Sequence, residues 1–147
     1  MSKASLAVKL HDDGFSCSQA VFSVFAEELG LSTEITHKIA SAFGGGMAGS
    51  GETCGAVSGA LMVLGLKFGR TQPDDLASKE KTNELSNIFF EKFKAKHHSL
   101  LCRDLRLEDR STAVQKKLAH ETCSEFIKDA VLILEDIIAK NPNKENS

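Results

Sequence analysis

The stretch Phe43–Gly59, FGGGMAGSGETCGAVSG, holds seven of the chain's eleven glycines. Backbone this permissive does not sustain a helix, so any helix entering it stops there and the chain bends before helix can resume. Resumption is signalled at Thr53-Cys54, where Thr53 suits an N-cap position and Cys54 falls in the first helical turn. Unpaired backbone N–H groups and the positive end of the helix dipole favour an anion at that place. For a cysteine the anion is the thiolate, the form that attacks disulfides and binds soft metals.

The rest of the chain reads as helices on either side of this bend. Residues 3–12 carry Leu6 and Leu10 four apart, and Gly14 closes the segment. Ser16 and Gln19 have capping-box spacing and open a helix through Val21, Phe22, Phe25 and Leu29 to Gly30, with Cys17 at its first position. Ser32 caps a third helix with Ile35, Ile39 and Phe43 on one face. The fourth runs from Cys54 to Phe68, with Cys54, Val57, Leu61, Leu64 and Phe68 on one stripe. Pro73-Asp74-Asp75 opens a fifth, through Leu76, Leu85, Ile88, Phe89 and Phe93. His97-His98-Ser99 breaks it, and Ser99 caps a short helix containing Cys102. Ser111 or Thr112 starts a long last helix with Cys123 on its apolar stripe. No two-residue alternation and no internal repeat stand out. The expected architecture is all-α: a single-domain bundle of about five to seven helices over residues 1–140, with a frayed polar tail at 141–147.

Composition removes several function classes. With 147 residues, 41% of them apolar, the chain suits one domain with a proper core. Eighteen Lys and Arg against twenty Asp and Glu argue against a nucleic-acid binder, which relies on net positive charge. No segment approaches the ~20 apolar residues of a membrane span, and the short run between Lys3 and Lys9 does not match a signal peptide, so the expected location is cytoplasmic. In that compartment four cysteines point to thiol chemistry or metal binding rather than permanent staples.

Local motifs narrow the chemistry further. Gly46–Thr53 matches a phosphate-binding loop at both glycines and the final Thr, but Glu52 stands where the lysine should be and no strand precedes it. No Cys-x-x-Cys pair exists, which excludes a thioredoxin-type or c-type haem motif and the usual zinc-finger spacing. Cys17, Cys54, Cys102 and Cys123 are dispersed singly, each at a helix start or on an apolar face, and whether they converge is left open. Gly55 and Gly59, four apart, allow close approach either of another helix or of a cofactor. His120 shares a helical face with Cys123, where it reads as a surface histidine or as a partner of the thiol; His97 and His98 read as exposed, and His11 and His37 have no distinguishing context.

The order FSCSQAV at Phe15–Val21, FGGGM at Phe43–Met47, CGAVSG at Cys54–Gly59, then single cysteines at Cys102 and Cys123, resembles the redox-active protein family labelled C_GCAxxG_C_C. The core hexapeptide reads CGAxxG here, where the label has its first letters in another order. The resemblance implies a small protein doing redox work through Cys17, Cys54, Cys102 and Cys123, with Gly55 and Gly59 as motif glycines. It also implies an association with transporters. It supplies no reaction.

Three readings follow from the residues. In the first, Cys17 and Cys54 are low-pKa thiols of a thiol–disulfide oxidoreductase acting with a redox partner protein, and Cys102, beside Arg103 and Arg106, resolves the disulfide. Glu52 near Cys54 works against this by raising its pKa. In the second, the four cysteines ligate an iron–sulfur cluster or zinc. In the third, they are small core residues of a helical interaction module. The apolar width of the last helix near Val131–Ile138 also suggests a homodimer.

Overall fold

A computed structural model of the chain describes residues 1–106 and 110–142. Among these there are seven α-helices and no strand: α1 (Lys3–Asp12), α2 (Cys17–Ala26), α3 (Thr33–Ala40), α4 (Gly55–Phe68), α5 (Leu76–His97), α6 (Cys102–Leu105) and α7 (Ala113–Lys140). The architecture is all-α, as the spacing predicts. Residues 143–147 of the expected tail lie outside the described residues.

Helix boundaries follow local chemistry closely. Ser16 and Gln19 form the capping box of α2, with the Ser16 N–H donating to Gln19 Oε1 at 3.0 Å. Thr112 and Gln115 do the same for α7. Each box satisfies two N–H groups that would otherwise be orphaned, worth about 1 kcal/mol. Asp75 caps α5 by accepting from the Ser78 amide at 3.1 Å, and His98, at φ 71°, ends it. Several boundaries differ from expectation. Pro73 and Asp74 lie ahead of α5, which starts at Leu76 with Asp75 as its cap, and α6 has Leu101, not Ser99, at its cap position and no side-chain cap. α2 stops at Ala26 rather than Gly30, the chain turning over residues 27–30. The α4 cap is Cys54 itself, because Thr53 is drawn into an isolated antiparallel bridge with Leu101.

α2 and α4 pack most extensively, and α7 runs along α1, α2, α4 and α5. One apolar cluster joins Val21, Phe25, Val57, Leu64, Phe89, Phe93, Ile127 and Leu134, all buried. Removing a side chain of this kind from water contributes about 1.5–3 kcal/mol. Of the apolar stretch near the end of α7, Val131, Ile133, Leu134 and Ile137 are buried in this core, whereas Leu132 is 44% exposed. α3 reverses the expected face: Thr36 and Ala40 are buried, whereas Ile35 and Ile39 are about half exposed. Its neighbour α2 decides this, since Ser18 of α2 donates to the Ala40 carbonyl at 2.8 Å and close approach selects small residues.

Candidate functional site: a cavity lined by four thiols

Glycines bring the cysteine-bearing segments together. A Cβ on Gly59 would stand 2.9 Å from the Ser18 carbonyl oxygen, and one on Gly55 would stand 3.0 Å from Cys17 Cβ and the Ser18 amide. α4 therefore lies against the first turns of α2, which sets Cys54 beside Cys17. At Gly59 the space is taken by α2, and at Gly55 by α2 and the Phe43 carbonyl; Gly55 also lines the cavity described below, whereas Gly59 does not.

The bend before α4 contains five consecutive positive-φ residues, Gly45, Gly46, Met47, Ala48 and Gly49. It closes through its own backbone, with the Ala48 amide donating to the Ala42 carbonyl at 2.7 Å and the Glu52 amide to that of Gly46 at 2.8 Å. Gly46 is required here: a Cβ would stand 2.6 Å from Cys102 Cβ and 2.7 Å from the Glu52 backbone. The end of the loop pairs with the start of α6. The backbone amide of Cys54 donates to the Leu100 carbonyl at 2.8 Å, that of Cys102 to the Glu52 carbonyl at 2.7 Å, and that of Arg103 to the Gly51 carbonyl at 3.0 Å.

The result is a cavity of about 170 Å³ whose wall includes Cys17, Cys54, Cys102 and Cys123 together. The dispersed cysteines do converge, and all four are free thiols. His11, Arg106 and Arg110 also line it. No group of three or more His, Cys, Asp or Glu among the described residues is placed to hold a metal ion.

Electrostatics separates the four thiols and moves the thiolate from where the sequence puts it. The neighbouring Cys123 sulfur, with burial, holds the Cys17 thiol well above its ordinary range. The Cys17 thiol in turn, with Arg110 and His120 beside it, brings Cys123 down to about 6 against the effect of burial. Cys54 is 3% exposed. Burial pushes it up to about 11, although the Ala56 and Val57 amides act in the opposite direction. The helix start at Cys54 thus works as expected but is outweighed by desolvation. Cys102 is raised by burial against the charges of Arg106 and Arg110. Glu52 faces solvent and pairs with Arg103 at 3.3 Å, which draws Arg103 away from the role expected beside Cys102.

Two lining residues carry no signal in the sequence. Arg110 lies in the connection before α7. His11 joins the site because α1 packs on α7: its ring stacks on His120 at 4.0 Å, its Nδ1 donates to the Phe15 carbonyl at 3.1 Å, and its Nε2 is buried without a hydrogen-bond partner. Burial lowers its pKa, so neutral imidazole is favoured. His120 is held by Asp12 at 2.7 Å. His97 is half-buried against Phe93 and Phe126 and bonds Asp129 at 2.8 Å, rather than standing in solvent.

The model of the family described as "Putative redox-active protein (C_GCAxxG_C_C)" matches residues 15–137, nearly the whole helical assembly and all four cysteines. The chain belongs to the C_GCAxxG_C_C family. Comparison with the curated proteins and with the solved structures gives no match. The C_GCAxxG_C_C description supports redox activity and leaves the reaction open. No helix among the described residues is long and apolar enough to cross a membrane.

Proposed function

We propose that the protein is a thiol–disulfide redox protein in which Cys123 is the attacking thiolate and Cys17 the resolving thiol. The observation that carries this reading is the convergence of Cys17 and Cys123, from α2 and α7, in one cavity shared with Cys54 and Cys102. Two neighbouring thiols titrate as a coupled pair, and the opposite shifts of Cys17 and Cys123 make one thiolate available near neutral pH without exposing both. Attack by Cys123 on a disulfide of the partner forms a mixed disulfide and releases one partner thiolate. Cys17 then attacks Cys123, forming the intramolecular disulfide and releasing the second partner sulfur, which receives the Cys17 proton. Two electrons pass from the thiol pair to the partner. Cys54 and Cys102 remain protonated and form the wall beside the exchanging sulfurs.

Mild oxidation of the reduced protein with a low-molecular-weight disulfide, followed by peptide mapping, tests this assignment. The expected product is a Cys17–Cys123 disulfide. A first disulfide that leaves out Cys123, or none at all under conditions that oxidise an ordinary dithiol, sinks it.

A further inference from the structure

On the reading that Cys17 and Cys123 are the reacting pair, the proton that Cys17 gives up needs a carrier. Resolution starts from a thiol, since the Cys123 sulfur and burial hold Cys17 well above its ordinary range, and a thiol is a poor nucleophile until its proton leaves. A base beside the pair removes that obstacle.

One group on the cavity wall is placed for this and takes no part in the sulfur exchange itself. The His11 ring, from α1, lies between the two segments that carry the reacting sulfurs. Its Nδ1 bonds the carbonyl of Phe15, two residues before Cys17, at 3.1 Å, and its face stacks at 4.0 Å on His120, three residues before Cys123 in α7. A carbonyl only accepts, so Nδ1 carries the proton of the neutral ring and Nε2 is left as a bare acceptor. Nε2 is buried with no hydrogen-bond partner among the described residues, and His11 lines the cavity together with all four thiols. Buried polar atoms without partners are few in folded proteins, and a catalytic role is one reason that they persist. Nε2 of His37 is also unpartnered, but that ring stands against Phe15 and is not part of the cavity wall.

The surroundings of the ring favour its neutral form. Burial lowers its pKa and the stacked His120 acts in the same direction, against the Phe15 carbonyl and Asp12. Asp12 is bound to His120 Nε2 at 2.7 Å, which occupies the other imidazole of the stack. Besides the thiols, the polar groups that share the wall with His11 are Ser16, Arg106 and Arg110. An imidazole unprotonated at neutral pH is the form that the step requires.

From this placement we infer that His11 is the proton carrier of the resolving step, taking the Cys17 proton on Nε2 and passing it to the departing thiolate. The step balances. In the mixed disulfide between Cys123 and SR, the Cys17 sulfur attacks Cys123, the bond to SR breaks and the Cys17–Cys123 bond forms. The proton moves from Cys17 to His11 and then to RS⁻, which leaves as RSH, and His11 ends neutral, as it began.

Rapid mixing of the reduced full-length protein with 2-hydroxyethyl disulfide, followed by acid quench and mass mapping, separates formation of the Cys123 mixed disulfide from its conversion to Cys17–Cys123. His11→Asn retains an amide that donates to the Phe15 carbonyl but supplies no base. In this variant the conversion should slow by about 100-fold, so that the mixed disulfide accumulates, while the first step changes by less than about twofold. Its conversion rate should also climb with pH as hydroxide replaces the imidazole, whereas that of the unsubstituted protein stays level around neutral pH. Imidazole added to His11→Ala should restore part of the rate, a response that a packing role does not give. Equal conversion rates in His11→Asn and the unsubstituted protein, or equal slowing of both steps with no rescue by imidazole, overturn the role of His11 and leave the thiol pair standing. Failure of the unsubstituted protein to form a Cys17–Cys123 disulfide overturns both.

Discussion

Cys17 and Cys123 meet in one cavity, and each shifts the other's ionisation, Cys17 upward and Cys123 downward. Cys123 benefits three times over, from the neighbouring Cys17 thiol, from Arg110 and from His120, while Cys54 has only two backbone amides against its burial. This predicts a large spread in reactivity. At pH 7 a thiol near 6 is mostly ionised and one near 11 almost never is, so even with the lower intrinsic nucleophilicity of the more acidic thiol, Cys123 should alkylate on the order of 100-fold faster than Cys54. Iodoacetamide labelling followed by mass mapping measures the ratio, and near-equal labelling would contradict the assignment. In Cys17→Ala, Cys123 loses that neighbour, and the pH midpoint of its alkylation should rise toward the ordinary thiol range. An unchanged midpoint would mean that the Cys17 thiol is not what holds it down. None of this could be read from the sequence. Helix starts were legible at Cys17 and Cys102, and a helix cap lies at Cys54, but burial and the identity of the neighbouring sulfur decide which thiol ionises, and both are tertiary properties.

At the scale of elements, the loop ahead of α4 and the contact between α2 and α4 determine where the sulfurs stand. Met47 and Ala48 are side-chain-bearing residues in a left-handed stretch, a conformation that costs roughly 1–2 kcal/mol per non-glycine residue. Ala48→Gly relieves that strain, and chemical denaturation should show a gain of about 1 kcal/mol after the added freedom of the unfolded chain is offset. Gly59→Ala has the opposite sign. Its Cβ would meet the Ser18 carbonyl oxygen at 2.9 Å and Val21 Cβ at 3.2 Å, forcing α2 and α4 apart, and overpacking of this kind costs about 1–3 kcal/mol. A urea midpoint at or above that of the unsubstituted protein would show that the two helices can separate without cost. Element boundaries were legible at Ser16, Ser32 and Thr112, where a side chain caps its own helix, and less so at α5, whose cap is Asp75 rather than a residue ahead of Pro73. Faces were less legible. The Ile35–Ile39 stripe predicts the wrong side of α3, because periodicity reports that a helix has an apolar face but not that its neighbour demands small residues there.

For the molecule as a whole, the buried thiols tie stability to pH. Cys54 rises from 9 to about 11 on folding, so the folded state holds its proton more tightly than the unfolded chain. That contribution is complete below pH 9 and is lost as the pH climbs through about 11, a fall of about 3 kcal/mol. Cys17 shifts in the same direction and adds to it. Cys123 shifts the other way: its contribution is complete above pH 9 and is lost as the pH drops through about 6. Denaturation midpoints measured across pH 8 to 11 should therefore decline, and Cys54→Ala should flatten the decline; an equally steep fall in that variant would assign it to other groups. The all-α class was legible from spacing alone, but the meeting of four sulfurs was not, because α2, the α4 cap, α6 and α7 come from distant parts of the chain. That dispersion has a consequence for how the protein comes into being. A growing chain carries only ordinary thiols until α7, the last helix, docks onto α1 and α2 and brings Cys123 to Cys17. Reactivity is thus a late product of folding, and a thiol reagent applied at neutral pH would mark finished molecules while passing over those still incomplete.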